Sequence, residues 1–116
     1  LDVVYDGKPK VQYSIIETTD TFSRRISAPT GQDLSNRGEH LLFMGCSFVW
    51  GEWLTDSDTL PWIFNQKQDK YVAYNLAAPG YSAADILARI NFDHFFSEIR
   101  PRKGRAIYVF YKDHIN

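Results

Sequence analysis

The chain has 116 residues, 44% apolar and 23% charged, with a formal net charge of −1. This is the balance of one small globular domain, and it excludes a disordered tail or a basic nucleic-acid binder. Its one cysteine, Cys46, excludes an internal disulfide and a thiolate zinc site, and no apolar run reaches the roughly 18 residues of a membrane span.

Residues 1–29 read as β-rich. "VVYDGKPKVQYSII" holds two β-prone runs around Asp6-Gly7, a favoured hairpin turn pair. "TTDTFSRRISAP" follows and closes at Pro29, and the polar stretch "TGQDLSNRGE" is a linker. Residues 1–38 thus form a β-rich N-terminal extension and linker, and 39–116 a second region of different pattern. There "HLLFMGCS" is the short continuous apolar run of a strand buried on both faces. "DSDTLPWIFNQKQ" reads as a short helix, with Asp58 as its cap and Pro61 in the first turn, where no N–H is required.

"KYVAYNLA" is a second strand, and "PGYSAADILARINFDHFFSEI" a long helix opened by a capping-box-like pair, Ser82 and Asp85. Ala83, Ile86, Leu87 and Ile90 share one face of that helix; Phe92, Phe95, Phe96 and Ile99 share the opposite one. Either the helix breaks near Asn91, the favoured reading, or it is buried on both sides. "IRPRKGR" is a solvated basic loop, and "RAIYVFY" a third buried strand. Strand, helix, strand, helix, strand is the order of a parallel α/β sheet.

In such sheets ligands bind beyond the carboxyl ends of the strands. Ser47 falls there after the first strand, "NLAAPGYS" after the second and "YKDHIN" after the third. Three loops would meet on one rim, which suits a serine presented as a nucleophile; the plainer reading is a serine that caps a helix or turn, with Pro79-Gly80 a plain turn. No Gly-rich phosphate loop follows the first strand, which argues against a nucleotide binder.

Three stretches carry a resemblance. "GCSFVWGE" resembles the first block of the SGNH (GDSL-like) hydrolases, "YNLAAPGYS" their second, and "AIYVFYKDH" stands where their third belongs. The resemblance covers about residues 39–116 and implies a three-layer, flavodoxin-like (SGNH-type) parallel sheet, incomplete here and preceded by the extension. It implies an ester hydrolase or O-acyltransferase in which Ser47 carries an acyl group, on a small-molecule, carbohydrate or lipid ester. The backbone N–H groups of Ser47 and Gly80 would be the oxyanion donors. No cofactor or metal is implied.

Two departures stand out. With Tyr111 in the third block's glycine position, Asp113 replaces the family's oxyanion Asn, and an ionised Asp cannot donate a hydrogen bond; Asn116 is the alternative donor. The family's C-terminal Asp-x-x-His block does not occur in these residues. Of the histidines, His40 precedes the first strand, His94 is mid-helix, and His114 is on the correct rim beside Asp113, where the two could form a base and its orienting group or, less plainly, a metal pair.

The expectation is therefore an SGNH-type enzyme when complete, with this chain alone nearly inert. The alternative is a non-catalytic SGNH-like module that binds a ligand or partner. A start at Leu1 reads as a processed or partial product. The apolar edge left by three strands predicts a homodimer or pairing with a missing C-terminal part. Neither a leader nor a spanning segment is visible, so cytoplasm and periplasm both stay open.

Overall fold

The computed structural model describes residues 4–5, 8–9, 14–92 and 97–110. The hairpin is present: β1 (Val4–Tyr5) pairs antiparallel with β2 (Lys8–Pro9), with Tyr5 opposite Lys8, so two residues connect them. Beyond it the extension is mostly irregular. Its one further β feature among the described residues is an isolated bridge between Thr19 and Arg25.

Residues 39–110 form an α/β unit. Its elements are β3 (Glu39–Met44), α1 (Ser47–Trp50), a 3-10 turn (Asp56–Asp58), α2 (Leu60–Lys67), β4 (Tyr71–Asn75), α3 (Ala83–Phe92) and β5 (Gly104–Tyr108). The sheet order is β4-β3-β5, with both pairings parallel; Leu42 lies opposite Tyr74 on one side and Ala106 on the other. The chain steps from β3 to β4 and then back across β3 to β5. Parallel crossovers are right-handed, so this reversal sends the two connecting helices to opposite faces.

The core follows that division. Leu41 and Phe43 of β3 pack with Val49 and Trp50 of α1 and with Phe64 of α2. Leu42 and Met44 pack with Ile86 and Ile90 of α3 and with Ile99. An uninterrupted apolar run is what a central strand covered on both faces requires.

Two expectations change. Asp58 does not cap α2: the N-cap is Thr59, and its hydroxyl donates to Asp56 O at 2.9 Å. Asp58 is spent in the 3-10 turn that delivers the chain to that point. The third strand is not buried. β5 has a strand on one side only among the described residues, and it leaves Ile107 43% exposed, with Val109 and Phe110 exposed beyond it. The long helix is assigned to Phe92, one residue past the expected break at Asn91, and residues 97–100 are not helical; residues 93–96, His94 among them, lie outside the described residues.

The outer edge of β4 is closed by side chains. Asn65 Oδ1 accepts the Ala73 N–H at 2.8 Å and its Nδ2 donates to Ala73 O at 3.0 Å. The same amide donates to Ser27 O and accepts from Arg37, so its two donors and two acceptor sites are all used. Gln68 does likewise for Tyr71, accepting its N–H and donating to its carbonyl.

Candidate active site

The carboxyl end of β3 runs into Gly45, Cys46 and Ser47. A Cβ at Gly45 would lie 2.8 Å from Val49 Cγ2 and 2.9 Å from Val109 O, so only a residue without a side chain fits at this exit. Four residues of helix follow. They stop at Gly51, whose φ of 88° is the left-handed conformation of a helix C-cap and whose N–H donates to Ser47 O at 3.0 Å. The two glycines around Ser47 thus fix where α1 begins and ends.

Ser47 is the first residue of α1, half-buried, and not its cap. Cys46 holds the N-cap position and makes no side-chain cap bond. Neither the hydroxyl nor the N–H of Ser47 has a hydrogen-bond partner among the described residues.

The three strand exits meet at the same rim. Leu76 N–H donates to Phe43 O at 2.8 Å, Ala78 N–H to Gly45 O at 3.3 Å, and Val109 N–H to Met44 O at 2.9 Å. Beyond Ala78 the chain turns: Tyr81 N–H donates to Ala78 O at 3.1 Å, with Gly80 at φ 79° in the third position and Pro79 before it. That is the signature of a type II turn, which by itself accounts for the glycine. Gly80 is exposed, nothing lies within 4 Å of a Cβ built on it, and its N–H has no acceptor among the described residues. Ser47 and Gly80 therefore lie beyond the same end of the sheet.

The Ser82–Asp85 box follows that turn. Asp85 Oδ2 accepts the Ser82 N–H at 2.8 Å and its hydroxyl at 2.9 Å, while Ser82 Oγ accepts the Asp85 N–H at 3.4 Å. These bonds hold the Asp85 carboxyl below its ordinary value, the Ser82 N–H contributing most.

Residues from outside the rim brace it. Asn75, 1% exposed, donates to Val49 O at 3.2 Å and Trp50 O at 3.3 Å and accepts the Ala77 N–H, tying the β4 exit to α1. Arg25, also 1% exposed, reaches in from the extension. Its guanidinium donates to Trp50 O, Gly51 O, Leu54 O and Ile16 O and pairs with Asp56 Oδ1 at 3.1 Å. The sequence pattern gave no sign of this beyond an Arg-Arg pair in a polar stretch.

Tyr111, Asp113, His114 and Asn116 lie outside the described residues. His40 is at the start of β3, at the opposite end from Ser47, with Nδ1 2.7 Å from Pro101 O. No histidine stands at the rim among the described residues, and no group of three or more His, Cys, Asp or Glu among them could hold a metal ion. No helix among them is long and apolar enough to cross a membrane. A cavity of about 570 Å³ lies away from Ser47, along the outer edge of β4.

No protein-family model, curated protein or solved structure matches the chain.

Proposed function

We propose that Ser47 is an acyl-carrying nucleophile and that the protein is a serine ester hydrolase or O-acyltransferase of SGNH type. The observation that carries this is the state of Ser47. It stands in the first turn after the central strand, at the point where the strand order reverses and where open α/β sheets place their ligands. Its hydroxyl caps nothing. A nucleophile must keep its hydroxyl available for a base and a carbonyl carbon, and the Ser47 hydroxyl meets no partner among the described residues.

The N–H groups of Ser47 and Gly80 are the donors for the developing oxyanion. They lie on one rim, and both lack an acceptor among the described residues. Two fixed donors are what a tetrahedral intermediate requires, since they need no reorganisation when charge develops. The substrate is an ester of a small molecule, carbohydrate or lipid.

The second reading is a non-catalytic SGNH-like binding module, favoured by the position of His40 at the opposite end of the sheet from Ser47. A fluorophosphonate probe, which needs an activated serine, separates the two. Labelling at Ser47, and turnover of an activated acetyl ester that Ser47→Ala abolishes, would establish the enzyme. Failure of both would leave the binding module.

A further inference from the structure

The cavity of about 570 Å³ opens between the edge of β4, the segment 20–37 and the turn at Arg100–Pro101. Its size falls in the range of roughly 300–1,000 Å³ that holds small ligands. Its charge is lopsided: Arg24, Arg25, Arg37 and Arg100 line it, against one carboxylate, Asp20.

Two of the four arginines are answered. Arg24 pairs with Asp20 at 3.0 Å and Glu98 at 3.2 Å, and Arg25 pairs with Asp56. Arg37 and Arg100 meet no carboxylate among the described residues. Arg37 uses Nη1 on Tyr71 O at 2.9 Å and on Asn65 Oδ1 at 3.2 Å. Arg100 uses Nη1 on Ser97 O and Ile99 O, both at 2.9 Å. The Nε and Nη2 donors of both have no acceptor among the described residues.

Those bonds to neutral oxygens fix each guanidinium and leave its charge unanswered. A fixed fork of this kind favours a carboxylate or phosphate, which can accept two N–H bonds at once. Ser27 also lines the cavity. The wall between the arginines is Val72, Ala73 and the ring of Tyr74, which Arg24 overlies at 5.2 Å.

We infer that this cavity binds a small organic anion whose carboxylate or phosphate group is held by Arg37 and Arg100, with the body of the ligand against Tyr74. The site is separate from Ser47 and does not depend on its role.

The test is a titration of the full 15N-labelled chain at constant ionic strength, with inorganic phosphate in one series and succinate in another. Saturable shifts are expected at the Arg37 and Arg100 side-chain N–H groups and at the Ser27 amide. The series that saturates names the anionic group. Arg100→Gln and Arg37→Gln should each weaken binding at least tenfold, and Arg102→Gln, in the neighbouring loop and not lining the cavity, should not. Arg37 also braces Tyr71, so Arg100→Gln decides alone if Arg37→Gln does not fold. The inference is overturned if neither anion saturates, if shifts spread evenly over Lys103 and Arg105, or if Arg100→Gln binds as the parent does.

Discussion

Along the outer edge of β4, the amides of Asn65 and Gln68 bond the N–H and C=O of Ala73 and Tyr71, whereas at the carboxyl rim the N–H groups of Ser47 and Gly80 meet no acceptor among the described residues. The two regions hold the same chemical group under different constraints. Ala73 is 2% exposed, so an unpaired amide there would lose its water and gain nothing in return. Gly80 is exposed and Ser47 half-buried, so water can satisfy their N–H groups. Pairing therefore marks where the molecule is held, and the unpaired donors mark the rim to which the proposed function assigns chemistry.

That contrast predicts which substitutions cost activity and which cost stability. The largest effect should be at Ser47. Ser47→Ala should lower ester turnover by about three orders of magnitude or more, while a urea melt shifts by no more than about 0.5 kcal/mol. A melt that collapses with the activity would mean that the hydroxyl is structural and would erase the distinction.

Arg25→Met should be next, at about 3–5 kcal/mol of stability, because it leaves Asp56 and the carbonyls of loop 50–54 buried without their donor. Asn65→Ala should cost about 3 kcal/mol by orphaning Ala73 and Ser27 O. Both are read from urea midpoints, and a loss below about 1 kcal/mol in either would show that water readily replaces the missing group.

The smallest effect is at the exposed Ser82–Asp85 box. The folded Asp85 carboxyl lies below its unfolded value of 3.8, so its contribution is present above that pH and fades as pH falls through the folded value. Asp85→Asn should therefore differ from the parent at pH 6 and converge with it in strong acid. A difference that persists in acid would point to packing instead of charge.

What could be read from the sequence was what local pattern controls. The apolar run of β3 and the Ser82–Asp85 spacing report burial and capping within a few residues of themselves, and both appear where expected. The exposure of β5 was not legible, because its composition is that of a buried strand and its surroundings depend on which strands stand beside it. The helix start moved from Asp58 to Thr59 because a 3-10 turn took up the acidic residues first. Arg25 and Asn65 were invisible for a different reason. Arg25 bonds groups 25–31 residues away apart from Ile16 O, and Asn65 reads as one more polar residue on a short helix.

The amides of Asn65 and Gln68 also give the sheet a direction of growth. Tyr71 and Ala73 have already used the groups that an incoming strand would need, so a strand can add only across β5, where none is paired on that side among the described residues. Among the described residues, one flank is then receptive and the other closed. Two copies meeting β5 to β5 about a two-fold axis would consume both receptive flanks, and association would halt at a closed pair instead of running on as a fibre.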